Sequence, residues 1–283
     1  MSDQRKPLTD WIGSREIREE LITEFPAQAA AAMLDLDGEP MAQGQPLPPL
    51  WHWFYFLPKA ARSHIDHDGH PKRGGFFPPV DLPRRMFAGA RTRFHKAVTI
   101  GEQAVREGEI LDVKEKSGKS GRLVFVTVRY RIEQGGTQRV EEEQDIVYKE
   151  PGPPIPAPVP LDSLPDAPAG SWIKDVIPDT VLLFRFSALT FNAHRIHYDR
   201  PYARDEEGYP GLVVHGPLTA VLLAGLTGEN SPKRIARFRF QGRAPLFDLY
   251  PFRLVGLPDG DTVELNSYGP DGELSMQASA ELI

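Results

Sequence analysis

Three of the eight histidines in the chain lie in one segment, residues 186–220, which reads FSALTFNAHRIHYDRPYARDEEGYPGLVVHGPLTA. They are His194, His197 and His215. Histidine is the side chain whose ordinary pKa lets it change charge near neutral pH. Asn192 stands just before the first two, and Gly216 follows the third at a Gly-Pro step where a helix can begin. This pattern is typical of a small acid/base site, although a hydrogen-bonded loop network without catalysis would contain the same residues.

Composition limits the classes of function. The chain has 283 residues, enough for two modest domains, and a net charge of -6, which disfavours a nucleic-acid binder that relies on bulk positive charge. It contains no cysteine, so disulfides, thiolate nucleophiles and cysteine-ligated metal sites are excluded. No apolar run approaches the length of a membrane span, and residues 1–13 lack the apolar core of a secretory signal. We therefore expect a cytoplasmic protein with no membrane or nucleic-acid partner.

Proline marks the expected domain boundary. The chain has 28 prolines, and they are densest in residues 150–170, which read EPGPPIPAPVPLDSLPDAPAG. Proline lacks a backbone donor and has a fixed φ, so this stretch cannot form an interior strand or helix and is expected to be a semi-rigid linker. We therefore divide the chain into an amino-terminal domain at residues 1–150, a linker at 151–170 and a carboxy-terminal domain at 171–283.

The two halves have a similar order of predicted elements. In the first, residues 11–34 have helical apolar spacing interrupted by Pro26, residues 50–58 (LWHWFYFLP) predict a buried strand or an apolar wall, and period-two strands follow. In the second, residues 179–189 (DTVLLFRFSAL) predict a strand, residues 217–228 predict a buried helix, and alternating strands follow again. Long antiparallel strands around one apolar helix form the hot-dog arrangement. The predicted class is α+β, a double hot-dog with two antiparallel sheets that each wrap around a central helix.

The stretches FSALTFNAHRIHYDRPYA and GLVVHGPLTA resemble the motif of the MaoC-like hydratase/dehydratase family. The positions that match are Phe186, Leu189, Thr190, Ile196, His197, Asp199, Tyr202, Ala203, His215 and Gly216. Four positions differ, where the family has Gly, a catalytic Asp, Asn and Pro: they are Phe191, Asn192, His194 and Arg195. This variant is similar to the subgroup that contains type 2 hydroxyacyl-thioester dehydratases and the mesaconyl-C4-CoA and itaconyl-CoA hydratases. The resemblance extends from about Trp51 onward.

The resemblance implies a hydro-lyase that adds water to an enoyl-CoA thioester, without a cofactor. The favoured substrate is a branched C5 dicarboxylic enoyl-CoA, itaconyl-CoA or mesaconyl-C4-CoA, which would give citramalyl-CoA. Three alternatives stay open: a 3-hydroxyacyl-thioester dehydratase of the fatty-acid type, a non-catalytic hot-dog protein that binds acyl thioesters, and a thioesterase. The resemblance also implies a homodimer or a higher homo-oligomer.

Water addition requires a base for the water, an acid for C2 and donors for the thioester oxygen as enolate charge develops. His197 is the candidate base, and it can return its proton to C2. Asn192 stands at the place of the family carboxylate; it cannot accept a proton, but its carbonyl can orient the water and its NH2 can donate. The backbone N–H of Gly216, at the first turn of a helix, suits the enolate oxygen.

A second group of residues is expected to bind the substrate. His194, Arg195 and Tyr202 lie in the motif, and His215 is expected to hold the turn before Gly216. Candidates for the CoA phosphates are Arg237, Arg239 and Arg243, although a solvated strand face would contain the same residues. Arg84 and Arg85 could pair with a distal carboxylate of the acyl group, unless they are a surface pair.

The amino-terminal half contains no N-x-H-x-I-H segment. We therefore expect that it has lost catalysis and widens the acyl pocket. His194, His197 and Asp199 have the side-chain types of metal ligands, but their spacing matches no common zinc motif, and the resembling family uses no metal. No metal is expected.

Overall fold

The computed structural model describes residues 6–36, 38, 41–118 and 121–283. In these residues ten strands form one antiparallel sheet in the order β1-β3-β4-β5-β2-β7-β10-β9-β8-β6. The strands are β1 (Arg15–Leu21), β2 (Arg84–Phe94), β3 (Gln103–Gly118), β4 (Gly121–Gln134), β5 (Thr137–Lys149), β6 (Trp172–Val176), β7 (Ile235–Gly242), β8 (Phe252–Asp259), β9 (Thr262–Tyr268) and β10 (Leu274–Leu282). The helices are α1 (Glu24–Met33), α2 (Thr180–Leu189) and α3 (Gly216–Asn230).

The sheet contains the same arrangement twice. Strands β1-β3-β4-β5-β2 of the first half have the order of strands β6-β8-β9-β10-β7 of the second half, and α1 follows β1 as α2 follows β6. The halves meet where β2 pairs antiparallel with β7, with Ala90 opposite Phe240. The two predicted sheets are therefore continuous across this junction.

Helix α3 packs on the strands of the second half and carries buried residues all round. These are Leu218, Thr219, Ala220, Val221, Leu223, Ala224, Leu226 and Thr227. In the first half, the described residues between α1 and β2 contain only short 3-10 turns, one of them at Trp51–Phe54. Trp51 and Phe54 are buried, so this turn supplies the apolar wall that was the alternative to a strand at 50–58. The second half therefore contains the predicted central helix, and in the first half the described residues between α1 and β2 place this buried turn there instead.

A buried acidic residue fixes this turn to the sheet. Glu142 of β5 bonds His52 Nε2 through Oε2 at 2.8 Å and accepts the indole N–H of Trp53 at 3.0 Å and 3.1 Å. Burial works to raise the pKa of Glu142, but the hydrogen bond and charge of His52 outweigh it and hold that pKa below its ordinary value. The pair therefore anchors the segment that takes the place of a central helix.

The predicted strand at 179–189 is wrong, because this segment is helix α2. The side chain of Asp179 caps the helix by accepting the backbone N–H of Leu182 at 2.8 Å. Leu183, Phe186 and Ser187 are its buried residues, and their spacing is that of one helical face.

Two other boundaries differ from the predictions. Residues 11–34 contain strand β1 before helix α1, and Pro26 lies in the first turn of that helix, where its missing N–H has no partner to lose. Helix α3 continues to Asn230, past the stop predicted at Gly228. The hairpin turn between β4 and β5 contains Gly135 and Gly136 at positive φ.

Residues 150–171 contain no helix or strand. The backbone N–H of Ile155 donates to Gly208 O at 2.8 Å, and that of Leu161 donates to Pro270 O at 2.9 Å. The segment therefore lies against residues of the second half. The division into two domains at this segment stays a prediction. In the described residues, none of the helices combines the length and apolar character needed to cross a membrane.

Candidate active site

A cavity of about 1100 Å³ is lined by residues of both halves. Of the residues predicted to act in catalysis or to bind substrate, those that line it are Asn192, His194, His197, Gly216, Arg84, Arg85 and Arg243. Apolar side chains that are largely exposed lie among the lining residues, among them Phe184 and Phe191. The cavity therefore combines an apolar surface with a cluster of histidines and arginines, as ligand sites commonly do.

His197 is held in one tautomer. It ends a 3-10 turn at Arg195–His197, and its Nδ1 lies 2.7 Å from the carbonyl oxygen of Val213. A carbonyl oxygen can only accept, so Nδ1 carries the hydrogen and Nε2 keeps a free lone pair. Burial lowers the pKa of His197 to about 4. The imidazole is therefore neutral at pH 7 and is able to accept a proton.

The ring of His215 stacks against the ring of His197. The two rings are stacked with centroids 3.7 Å apart and planes 20° apart. His215 Nε2 lies 2.8 Å from Ser187 Oγ, and burial lowers the pKa of His215 well below the ordinary value. His215 is not a lining residue of the cavity. These contacts tie His215 to helix α2 and to His197, and its role in holding the turn before Gly216 stays a prediction.

Asn192 closes the turn after helix α2. Its Oδ1 accepts the backbone N–H of His194 at 3.0 Å, and its own N–H donates to Ser187 O at 2.8 Å. The carbonyl that was expected to orient a water is therefore already bonded within the chain. The side-chain NH2 is the part of Asn192 that is suited to the cavity, and it can only donate.

Gly216 begins helix α3 beside the cavity. The N–H groups of a first helical turn have no partner within the helix, and they carry partial positive charge. A Cβ at Gly216 would come no closer than 3.9 Å to protein atoms, those being Met276 Cε and Phe87 O. Protein packing therefore does not require glycine here, and the open space is available to a bound molecule.

A pair of residues from the first half completes the histidine cluster. Asp68 Oδ2 lies 2.9 Å from His70 Nδ1, and the ring of His70 lies 4.2 Å from that of His194. Burial works to raise the pKa of Asp68, but hydrogen bonding and the charge of His70 outweigh it and lower that pKa. Burial lowers the pKa of His70. The sequence interpretation gave the first half no catalytic residue, and the structure nevertheless brings an ionised carboxylate and a neutral imidazole to this site.

Glycine allows the two segments to meet. Gly69 has φ +93°, and a Cβ there would lie 1.7 Å from the carbonyl oxygen of Ala193. The carbonyl oxygen of Asp68 accepts the N–H of Arg195 at 2.9 Å. The only sequence signal for this contact is the short Asp-Gly-His turn, and nothing in its spacing connects it to a segment so distant along the chain.

His194 lies between the other cluster histidines. Its ring centroid is 4.2 Å from that of His70 and 5.5 Å from that of His197. Burial, with the neighbouring His70 and His197, lowers the pKa of His194 to about 2. His70, His194 and His197, which line the cavity, are therefore neutral at pH 7 and can act as proton acceptors there.

The three side chains considered for a metal, those of His194, His197 and Asp199, do not form a cluster of ligand atoms in the described residues. Asp199 is bonded by Arg195 through Nε at 3.0 Å and Nη2 at 2.8 Å, on the exposed side of the loop. In the described residues, the group with clustered ligand-type atoms is instead Asp68, His70 and His194, whose atoms lie within 4.8 Å of one another. Asp68 and His70 are joined there by their hydrogen bond, which is the arrangement of a carboxylate that orients an imidazole.

Arg195 and Tyr202 do not line the cavity. The guanidinium of Arg195 lies 4.1 Å from the ring centre of Tyr202 and also donates to His67 O at 3.3 Å. The hydroxyl of Tyr202 donates to Glu207 Oε1 at 3.1 Å. These residues therefore hold the loop that carries the histidines, and the prediction that they bind substrate is not supported.

The two adjacent arginines of β2 have different partners. Arg84 forms an ion pair with Glu207 at 2.9 Å and donates to the carbonyl oxygen of the same residue at 2.6 Å. Arg85 lies over the ring of Phe77 at 4.8 Å, and no carboxylate partner is found for it in the described residues. Burial is the main cause that lowers the pKa of His70, and the charge of Arg85 lowers it further. Arg85 therefore lies near the histidine cluster. Arg85 is therefore the arginine of this pair that is free to bind an anion.

Of the three arginines proposed to bind the CoA phosphates, only one lines the cavity. Arg237 and Arg239 are exposed on the face of β7 opposite to the buried Phe238 and Phe240, because side chains alternate along a strand. Arg237 pairs with Glu281 at 3.1 Å, and Arg239 donates to Ser279 Oγ at 2.8 Å. Neither of them lines the cavity, and the prediction that they bind the CoA phosphates stays a prediction. The remaining one, Arg243, lines the cavity and donates to Gln277 Oε1 at 3.0 Å.

Comparison with known proteins agrees with this architecture. Residues 50–248 match the family model described as hydroxyacyl-thioester dehydratase type 2. A mesaconyl-C(4)-CoA hydratase of Chloroflexus aurantiacus is 57% identical over 272 residues, which cover 96% of each protein.

Solved structures confirm the fold. A MaoC-like dehydratase aligns with a TM-score of 0.71 at 15% identity, covering 96% of this chain and 98% of its own. A conserved hypothetical protein of Mycobacterium tuberculosis with a double hot-dog fold aligns with a TM-score of 0.56 at 14% identity, covering 98% of each chain. The α+β double hot-dog prediction is therefore confirmed.

Proposed function

The chain belongs to the hydroxyacyl-thioester dehydratase type 2 family, and we propose that it is a hydro-lyase that adds water to an enoyl-CoA thioester. The favoured substrate is a branched C5 dicarboxylic enoyl-CoA, mesaconyl-C4-CoA or itaconyl-CoA, and the product is citramalyl-CoA. The relative named a mesaconyl-C(4)-CoA hydratase, which is 57% identical over nearly the full length, supports this substrate class. The observation that carries the proposal is the neutral His197, whose Nε2 is left free by the bond of Nδ1 to Val213. His197 lines a cavity together with Arg85, for which the described residues offer no carboxylate partner.

The reaction follows from these groups. Nε2 of His197 takes a proton from water as the water oxygen bonds to C3 of the enoyl group. The electron pair of the double bond moves toward the thioester oxygen, where the N–H of Gly216 stabilises the developing charge. The imidazolium of His197 then gives its proton to C2. The side-chain NH2 of Asn192 donates to the water or to the thioester oxygen. Neither proton transfer requires a metal or a cofactor.

Arg85 is the residue that we expect to recognise the second carboxylate of the acyl group. It lines the cavity without a carboxylate partner in the described residues, whereas Arg84 is already neutralised by Glu207. A guanidinium binds a carboxylate through two parallel hydrogen bonds, so it selects a planar anion as well as attracting it. Arg85 lines the same cavity as His194 and His197, and its charge contributes to lowering the pKa of His70 and of His194, after burial.

The test is a panel of enoyl-CoA thioesters, followed by the loss of absorbance of the conjugated thioester. We expect hydration of mesaconyl-C4-CoA or itaconyl-CoA, and slower hydration of crotonyl-CoA. Arg85→Ala should lower kcat/KM for the dicarboxylic substrate by about 100-fold, the loss expected for one charge-assisted pair, and should spare crotonyl-CoA. Equal effects on both substrates would refute the role of Arg85. Release of free CoA without hydration would indicate a thioesterase, and binding without turnover would indicate a non-catalytic protein.

A 3-hydroxyacyl-thioester dehydratase of the fatty-acid type is the second candidate. The description of the matching family supports it, and so do the apolar side chains at the cavity, such as Phe184 and Phe191. This alternative predicts that straight-chain monocarboxylic substrates are turned over faster than dicarboxylic ones. It also predicts that Arg85→Ala changes neither rate by more than about twofold. The same panel therefore separates the two candidates.

We further propose a cytoplasmic homo-oligomer, the homodimer or higher assembly that the family resemblance implies. The outer strands of the sheet, β1 and β6, carry exposed apolar side chains. They are Ile17, Leu21 and Ile173. Light scattering during gel filtration should give at least twice the monomer mass of 31.6 kDa. Fractionation of the source cells should recover the protein in the cytoplasm.

A further inference from the structure

We propose that His70, oriented by Asp68, is a further catalytic residue that holds the attacking water together with His197. This inference rests on the proposed hydration reaction. The residue belongs to the half of the chain that the sequence pattern left without a catalytic role, so the active site would be complete only when both halves contribute to it.

The need for such a group arises at Asn192. An attacking water has two hydrogens to bond, and His197 Nε2 can accept only one of them. Asn192 Oδ1 already accepts the backbone N–H of His194, which leaves it one further lone pair, and the NH2 of Asn192 cannot accept. A neutral imidazole nitrogen is more basic than an amide oxygen, so a second histidine at the cavity would accept the second hydrogen better than Asn192 does.

The geometry of His70 suits this task. Its Nδ1 lies 2.9 Å from Asp68 Oδ2, and an ionised carboxylate can only accept, so Nδ1 carries the hydrogen and Nε2 is free. The side chains of Asp68 and His70 are only 16% and 17% exposed, which limits competition from bulk water. His70 lines the same cavity as His197 and is one of the groups that lower the pKa of that histidine. The two free nitrogens are thus neutral acceptors at one cavity.

The backbone fixes the pair in place. Asp68 Oδ1 accepts the N–H of His70 at 2.8 Å, and Asp68 O accepts the N–H of Arg195 at 2.9 Å. The same turn presses Gly69 onto Ala193, next to His194. The position of His70 is therefore tied directly to the segment that carries His194 and His197.

The proposed step balances as follows. The water donates one hydrogen to His197 Nε2 and the other to His70 Nε2. The bond between oxygen and the hydrogen facing His197 breaks as the bond between oxygen and C3 forms, and His197 later gives that proton to C2. The hydrogen facing His70 stays on the new hydroxyl group. In the reverse direction, His70 holds the hydroxyl that leaves. His70 thus touches a reacting atom, and Asp68 is a positioning residue that acts through it.

The test compares His70→Ala and Asp68→Asn with His64→Ala, which removes an exposed histidine of the same loop region outside the cavity. His70→Ala should lower kcat by about 100-fold or more, as expected for a lost acid/base group, with KM changed less than about threefold. Asp68→Asn keeps an oxygen for the N–H of His70, so it preserves the turn, but it no longer imposes one tautomer; kcat should fall by at least about tenfold. His64→Ala should keep full activity.

A second measurement reports the tautomer without turnover. In protein with ¹⁵N-labelled histidine, the ring signals of His70 should show hydrogen on Nδ1 at neutral pH, and Asp68→Asn should shift them toward the other tautomer. Thermal unfolding checks that the variants are folded.

The outcomes separate the two hypotheses. A wild-type protein that hydrates no enoyl thioester refutes the proposed function, and the catalytic role of His70 with it. An active wild type with a His70→Ala variant of equal kcat refutes the role of His70 alone. Unchanged ring signals in Asp68→Asn refute the positioning role of Asp68.

Discussion

His197 donates its Nδ1 hydrogen to the carbonyl oxygen of Val213 across 2.7 Å, inside a buried environment. This hydrogen bond fixes the tautomer of the imidazole. It also works to raise the pKa of His197, but burial outweighs it and lowers that pKa to about 4. A base of this kind is unprotonated across the whole physiological pH range, and its activity should depend on pH in a characteristic way.

The first prediction concerns the acid limb of the rate. The value of kcat/KM for hydration should be nearly constant from pH 8 to about pH 5.5 and should fall toward an inflection near the pKa of His197, about 4, because only the neutral imidazole accepts a proton. His197→Gln should lower kcat by about 100-fold or more. His95→Gln removes an exposed histidine and serves as the matched control. An inflection near 6.5, the ordinary value for histidine, would contradict the assignment.

The second prediction concerns stability. A histidine whose folded pKa is about 4 and whose unfolded pKa is about 6.5 binds fewer protons in the folded state between these values, so the free energy of unfolding falls as pH falls through this window. For His197 the loss between pH 7 and pH 5 is about 2 kcal/mol. Urea unfolding at the two pH values measures it. His197→Gln should reduce the difference by about this amount, whereas His95→Gln should leave it unchanged; identical differences in all three proteins would contradict the buried neutral state.

The sequence alone was enough to identify the candidate site residues that lie together in one segment. Asn192, His197 and Gly216 all lie within residues 186–220, and all three line the cavity. His70, with Asp68 bonded to it, reaches the same cavity through the docking of Gly69 on Ala193. That contact depends on tertiary packing, and a single sequence carries no periodic signal for it.

The distribution of apolar side chains explains why helix α2 was predicted as a strand. Helix α2 is rich in Leu, Phe and Val, and several of these side chains are exposed, as Val181 and Phe184 are, so apolar content alone suggested a strand. The capping residue Asp179 was the informative signal. The arginines of β7 were placed on one face correctly by alternation, but alternation does not say which face of a sheet borders the cavity.

The third prediction concerns the pair that anchors the Trp51–Phe54 turn. Glu142→Ala leaves His52 and the indole N–H of Trp53 buried without their acceptor, so it should lower the free energy of unfolding by about 3–5 kcal/mol. Glu141→Ala, at the neighbouring position, removes a more exposed ion pair with Arg131 and should cost less than about 1 kcal/mol. Urea unfolding at pH 7 measures both. Similar losses for the two variants would show that the buried pair is not the anchor.

The fourth prediction tests the docking of the two halves at the active site. Gly69→Ala should displace the 66–70 turn, because the added Cβ would lie 1.7 Å from the carbonyl oxygen of Ala193 and φ is +93° at this position. The hydrogen bond from Arg195 N–H to Asp68 O should then be lost, and kcat should fall by at least about tenfold as His70 moves away from the cavity.

Gly228→Ala is the control for this substitution. Gly228 lies within helix α3 with no protein atom within 4 Å of an added Cβ, so alanine there should leave kcat unchanged and stabilise the fold by up to about 1 kcal/mol. Steady-state hydration kinetics and thermal unfolding measure both effects. A Gly69→Ala variant with wild-type kcat would mean that the contact between the 66–70 turn and the His194 segment does not position the catalytic groups, since so short a distance cannot be accommodated without moving one of the two backbones.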